Sequence, residues 1–299
     1  MMINEKPLLI GILSLLATDV LLPMKYIFTP ILLILLSLTA YSQDRMFAYT
    51  YQSNVLNKGD FDFEFHNTLS TGKKGAYSHY IYGQHLDQRL EYEIGLGKNV
   101  QTAFYLNSEL FNFADTASTD LNQEHKFSFS NEWKWKLLDP VANRFGLALY
   151  EEIEVGGSNW ESETKLIIDK RWKRDILAFN AVKKYEIERV VRRQDNMTSS
   201  DWYRNSPVEF NLAYMHFLRP EIGIGMEMRE NNAIDQDHGW INSVLFAGVA
   251  FHAQTGKFFI NLTALPQLVN MHKTKAVPGN MDVDNFEKLE ASALIGYSF

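Results

Sequence analysis

The sequence predicts an all-β fold: an up-and-down antiparallel transmembrane β-barrel of about twelve strands, preceded by a cleaved signal peptide. Three observations predict it. Apolar and polar residues alternate with period two in segment after segment. The connections alternate between short turns and longer polar stretches. The six tryptophans fall near segment ends rather than at their centres.

The alternation is clearest in four places. In "FDFEFHNTL" (61–69), Phe61, Phe63, Phe65 and Leu69 share one face, and Asp62, Glu64 and His66 the other. In "DQRLEYEIGLG" (87–97), Leu90, Tyr92, Ile94 and Leu96 oppose Arg89, Glu91 and Glu93. "KFSFSNEWKWKLL" (126–138) sets Phe127, Phe129, Trp133, Trp135 and Leu137 against Ser128, Ser130, Glu132, Lys134 and Lys136. "EIGIGMEM" (221–228) repeats the pattern. Side chains of a strand point to opposite faces in turn, so this is the mark of a half-buried strand. The segments expected to be strands are 60–70, 80–96, 100–112, 123–138, 145–156, 159–169, 175–188, 207–218, 221–231, 241–253, 257–269 and 286–299. Most reach the roughly 9–11 residues that a tilted strand needs to cross a bilayer.

Short turns are expected at 97–99, 139–144, 170–174, 219–221 and 254–257. Longer polar connections fall at 72–78, 113–122, 188–207, 231–239 and 270–285, with "GGSN" (156–159) the exception. This alternation fits a membrane barrel, whose two rims carry turns of different length. Trp133, Trp135 and Trp172 lie near the short-turn ends, and Trp160, Trp202 and Trp240 near the long-loop ends. An indole has an apolar body and a polar N–H, which suits the membrane–water boundary.

The N-terminus reads as a targeting region. Residues 24–42 contain Met24, Lys25, an apolar run from Ile27 to Leu38, and Ala40-Tyr41-Ser42 as a small-x-small cleavage site. That is a complete signal peptide. Residues 1–23 are expected to be an upstream start extension and 59–299 the barrel. Between them, 43–58 is expected to form a pre-strand and turn, at the rim or beside the first strand.

Composition excludes several classes. The net charge of −7 speaks against a nucleic-acid partner, which needs a basic face. There are no cysteines, so disulfides, thiol catalysis and Cys-ligated metals are excluded. A mean hydropathy of −0.22 is too polar for a bundle of membrane helices. A barrel tolerates it, because only alternate residues face lipid.

The last segment, "EASALIGYSF", places Ala291, Ala293, Ile295, Tyr297 and Phe299 on one face; Leu294 breaks the pattern on the other. An apolar stripe ending on Phe resembles the C-terminal sorting signal of outer-membrane proteins of Gram-negative bacteria. The chain as a whole resembles their porin-like or transporter-type barrels. That resemblance implies the bacterial outer membrane as location. It also implies membrane lipid, lipopolysaccharide and the outer-membrane assembly machinery as partners, with Ala293, Ile295, Tyr297 and Phe299 read in assembly.

The polar faces would line the lumen. They carry Asp62, Glu64, Asp87, Arg89, Glu91, Glu93, Glu132, Lys134, Glu152, Glu154, Glu161, Glu163, Glu227 and Arg229, with acids in excess. Carboxylates on a pore wall raise the local cation concentration. The expectation is a channel for small polar, cationic solutes, with Arg89 the base beside Glu91 and Glu93. A structural barrel filled by ion pairs is the alternative, and a surface enzyme acting on lipid or lipid A another. For the enzyme, the candidates are Ser78 and His79, or Asp235, Asp237 and His238, in long loops; they match no hydrolase signature. Asp282 and Asp284 offer carboxylates to a cation, but no metal centre or cofactor is expected. Arg189, Arg192 and Arg193 are candidates for lipid phosphate.

Overall fold

The computed structural model of the protein describes residues 45–74, 80–115, 121–194, 197–235, 239–275 and 277–299. Residues 1–42, with the upstream extension and signal peptide, lie outside the described residues. So do Ser78, His79, Asp237 and His238, and of Asp235 only the backbone is described. No helix among the described residues is long and apolar enough to cross a membrane.

Thirteen strands form one antiparallel sheet: β1 (Phe61–Lys73), β2 (Tyr80–Gly97), β3 (Val100–Asp115), β4 (Leu121–Leu138), β5 (Gly146–Gly156), β6 (Asn159–Trp172), β7 (Asp175–Gln194), β8 (Met197–Asn205), β9 (Val208–Arg219), β10 (Ile222–Asp235), β11 (Gly239–Thr255), β12 (Phe258–Asn270) and β13 (Leu289–Ser298). β13 pairs with β1 from Asp62↔Ser298 to Thr71↔Leu289, which closes the sheet into a barrel. Closure pairs β1 and β13 along their length and so removes the free edges there; among the described residues β8 meets β10 only at Asn205↔Asp235.

The strands fill twelve wall positions, because β8 and β9 share one. β7 pairs with β9 over Asp175–Lys183 and with β8 over Glu186–Gln194. Pro207, which lacks an N–H, sits at the break. The stretch 188–207 was expected to be a long loop. It is instead a hairpin that continues the wall, and Arg189, Arg192 and Arg193 lie on β7 within it. The strands of β2, β4 and β7 run to 18, 18 and 20 residues, longer than a bilayer crossing requires.

The turns have the expected chemistry. Lys98 and Asn99 carry φ of 54° and 65°, the left-handed geometry of a two-residue hairpin loop. Asp139 accepts the backbone N–H groups of Val141 and Ala142, both at 2.9 Å. Those bonds, Ala142's first, hold its carboxyl below the usual range.

One face of the wall is apolar and exposed, including Phe63, Phe104, Leu106, Phe127, Val155 and Val249. Trp133, Trp135 and Trp172 sit on it toward the short-turn ends, and Trp202 and Trp240 toward the long-loop ends. The other face is buried and polar: Asp62, Glu64, Glu91, Glu132, Glu152 and Glu227 all belong to it. Leu294, which interrupts the stripe of the last strand, points to this inner face and is fully buried.

Candidate functional site: the barrel interior

Residues 45–58 cross the interior. They neither extend β1 nor rest at the rim. The segment is tied to inward-facing side chains around the wall, in the half nearer the short turns. Asn261 on β12 donates to the Arg45 carbonyl at 2.5 Å. Glu227 on β10 accepts the backbone N–H groups of Ala48, Tyr49 and Thr50 at 3.2, 2.9 and 2.6 Å. Asn180 on β7 takes the N–H of Tyr51 and donates back to its carbonyl, at 2.7 and 3.0 Å. Asp169 on β6 accepts from Ser53, and Gln101 on β3 from Leu56. These side chains supply the partners that a strand neighbour would otherwise give to a buried backbone.

Apolar contacts seat the same segment. Met46 and Phe47 pack with Ile176, Ala178, Met215 and Phe217, and Tyr51 packs with Ala148, Tyr150 and Ile167. The interior is therefore not uniformly polar. Two glycines make room for the crossing. A Cβ at Gly95 would meet the Asn57 carbonyl oxygen at 1.9 Å, and one at Gly146 the Ser53 Oγ at 2.2 Å. Burial of a side chain such as Phe47 contributes about 1.5–3 kcal/mol.

The residues expected to line the lumen do lie on the inner face. Their pairing differs from the expectation. Arg89 does not serve Glu91 and Glu93; its guanidinium bonds Glu152 across the interior. Glu91 accepts instead from His66 Nε2 at 2.9 Å, and the same nitrogen lies 2.9 Å from Glu64. Lys165 pairs with Glu163 at 2.5 Å, and Lys184 with Glu161 and Glu163 at 2.9 and 3.2 Å. Arg229 holds Glu209 through two nitrogens, at 2.8 and 2.9 Å, and reaches Glu290 at 3.0 Å. Lys165 also lies over the rings of Tyr51 and Tyr150, at 4.0 and 4.2 Å from their centroids.

Beside the crossing segment is a polar cavity of about 310 Å³. Arg45, Arg89, Lys165, Lys184 and Arg229 line it together with Asp87, Glu163, Glu209, Glu287 and Glu290. Charge there is mixed. The acidic excess lies elsewhere, around Asp62, Glu64, Glu91, Glu93 and Glu132, whose carboxylates cluster on β1, β2 and β4. Local charge excess was visible in the sequence; the split between a mixed cavity and an acidic sector needed the cross-barrel partners.

Tyr297 and Phe299 lie on the outer face, with Phe299 stacked on Phe61 at 4.3 Å and its N–H bonded to the Phe61 carbonyl. Arg189 donates to Ser200 Oγ at 3.3 Å. Asp282 accepts both the N–H and the side-chain amide of Asn285, so it caps a turn. The sequence reading missed Ser108 and His125. They meet at 3.0 Å on the exposed face of β3 and β4. They are 17 residues apart and belong to no motif.

A closed, up-and-down barrel with an apolar exterior and a charged interior defines the class: the fold is that of the outer-membrane β-barrels. The chain belongs to the DUF6662 family, a family of unknown function, whose model matches residues 39–299. No curated protein matches the sequence. Among solved structures, the translocator domain of the autotransporter NalP from Neisseria meningitidis is similar in fold. It has 10% identity and a TM-score of 0.50, covering 83% of this chain and 91% of that one. The β domain of the Bordetella autotransporter Brka matches at 10% identity and a TM-score of 0.48, over 81% and 99% of the two chains. The NanC porin matches at 10% identity and a TM-score of 0.47, over 79% and 98%.

Proposed function

We propose that the protein is a channel of the bacterial outer membrane for small polar solutes, with residues 45–58 as its internal constriction. The observation that carries this reading is the charged cavity beside that segment. Ionised side chains there replace part of a solute's hydration, and the segment sets what passes. The acidic sector on β1, β2 and β4 biases passage toward cations. Lipopolysaccharide and membrane lipid surround the barrel in this reading, and Arg189, Arg192 and Arg193 are candidates to meet lipid phosphates. The assembly machinery reads Ala293, Ile295, Tyr297 and Phe299.

Planar-bilayer recording tests it. The folded wild type is expected to conduct, with a reversal potential that favours cations in a salt gradient. Removal of residues 45–56 is expected to raise conductance several-fold. Glu227→Gln, which weakens the hold on three backbone N–H groups, is expected to raise it less. Silence from the wild type and both variants would falsify the channel and leave a plugged structural or receptor barrel. The buried seat of Phe47 is the observation that favours that second reading. For the surface-enzyme alternative, the described pair closest to hydrolase chemistry is Ser108–His125; ester cleavage of a phospholipid substrate that is lost in Ser108→Ala would support it.

A further inference from the structure

Several like-charged pairs face one another directly across neighbouring strands; four of them are Asp62↔Glu93, Glu64↔Glu91, Glu152↔Glu163 and Glu154↔Glu161. Such pairs repel and need a compensating charge. The last two have it in Arg89, Lys165 and Lys184. Of the first two, only Glu64↔Glu91 has such a group in the same form, His66, which bridges its two carboxylates. Arg45 and Lys134 are the other cationic groups near this sector. Arg45 spends its guanidinium on the carbonyls of Phe47 and Ala48 and on the face of Tyr51. Lys134 extends toward the Tyr51 ring, 5.7 Å from its centroid.

The geometry goes further than an excess of charge. Glu93 faces Ala103, and Ala103 faces Glu132, so a single methyl group separates the two acidic arms. The carboxylates of Glu91, Glu93 and Glu132 meet over that small residue, with ligand oxygens within 4.8 Å of one another. One oxygen of each is already committed. Glu91 Oε2 is bonded to His66, Glu132 Oε2 to Tyr105, and Glu93 Oε1 to Gln101. Glu91 Oε1 and Glu132 Oε1 remain, buried and without a hydrogen-bond partner, on residues that are 0% exposed. A buried carboxylate oxygen without a donor is costly, and a cation removes that cost.

We propose that Glu91, Glu93 and Glu132 form a binding site for a hard divalent cation of the calcium or magnesium class. Carboxylate oxygens are the ligands such ions prefer, and the cluster offers only oxygen at its open positions. His66 and Tyr105 orient the Glu91 and Glu132 carboxylates by hydrogen bonds. Gln101 links the site to the crossing segment, since it also accepts the N–H of Leu56 at 3.0 Å.

The test is calorimetry on the full chain, folded in detergent without lipopolysaccharide and stripped of metal by a chelator that is then removed. Calcium chloride or magnesium chloride is titrated in. The expected result is saturable binding of one ion per chain and a higher unfolding temperature with the ion present. Glu93→Gln with Glu132→Gln is expected to weaken binding at least about tenfold, because two anionic ligands are lost. Glu124→Gln, at the other end of β4, is expected to leave it unchanged. Heat-modifiable gel mobility establishes that each variant folds; if the double variant does not, Glu132→Gln alone is read in its place. No binding of either ion by the wild type overturns the proposal, and so does undiminished binding by the variant. Calorimetry is independent of conductance, so the site and the channel stand or fall separately.

Discussion

Two sectors of one inner wall handle the same problem differently. On β5 and β6, Glu152 and Glu154 face Glu163 and Glu161, and lysine and arginine close the charge. On β1 and β2, Asp62 and Glu64 face Glu93 and Glu91, and one histidine stands between two of the four. Arg89 sharpens the contrast. It is rooted on β2 opposite His66, yet it serves Glu152 on β5, the residue that faces Glu132. The lesson is that cross-strand register places charges but does not neutralise them. Compensation comes from long side chains that reach across the interior. A sector that exports its arginine keeps an acidic surplus, and that surplus is what makes it a candidate for cations.

The comparison predicts unequal responses to removing charge. The largest effect is expected for Arg229→Ala. It leaves Glu209 and Glu290 buried together without their shared guanidinium. Breaking a buried pair in this way costs about 3–5 kcal/mol. Urea unfolding of the refolded barrel measures it. A loss below about 1 kcal/mol would mean that water screens this network, and the compensated sector would lose its distinction.

Next in size is a difference of sign. Glu163→Gln deprives Lys165 and Lys184 of a partner and is expected to destabilise by about 1–3 kcal/mol. Glu93→Gln in chelator is expected to be neutral or stabilising by up to about 1 kcal/mol. It removes repulsion from Asp62 while its carbonyl still accepts from Gln101. The same urea titration reads both. Equal destabilisation by the two would erase the comparison.

Of the same size as Glu163→Gln, but local, is Gly95→Ala. The new methyl meets the Asn57 carbonyl, so the segment must shift beside the acidic sector. The cost expected for such crowding is about 1–3 kcal/mol. Amide exchange should quicken at Leu56, which leans on Gln101, and stay slow at Thr50 and Tyr51, which are held by Glu227 and Asn180. Uniform quickening along 45–58 would show that the segment moves as one body.

Much of this wall was legible in the sequence. Period-two alternation assigned faces residue by residue, and tight turns such as Lys98-Asn99 fixed where strands reverse. Even Leu294, an interruption of the pattern, is explained by its inward position. The crossing segment was not legible. Its apolar residues Met46, Phe47, Val55 and Leu56 suit a short strand as well as a plug. Its partners are separated by long stretches of chain: Glu227 lies 177 residues from Thr50, and Asn180 129 from Tyr51. A backbone N–H bonded to a distant carboxylate leaves no trace in local pattern. Arg89 shows the same limit. Glu91 stands two positions away on its own face, but the partner is Glu152, 63 residues on. Between 188 and 207 the polar composition concealed a hairpin, because strands that pass beyond a bilayer need no apolar face.

The smallest effect is expected where the same kinds of charge meet water. Lys126 on β4 bonds Glu188 on β7 at 3.0 Å, toward the long-loop end of both strands. The side chains are 34% and 43% exposed, so each loses little hydration in forming the pair. Two long side chains must also be held in one geometry, which costs conformational entropy. Exposed pairs of this kind contribute about 0–1 kcal/mol. Lys126→Met should therefore shift the urea midpoint far less than Arg229→Ala, and added salt should shrink the difference further, since the Debye length falls to about 3 Å at 1 M. A cost near that of Arg229→Ala would place this rim pair in the same dry surroundings as the inner network. Depth along the barrel would then cease to explain why a rim pair contributes less than the inner network.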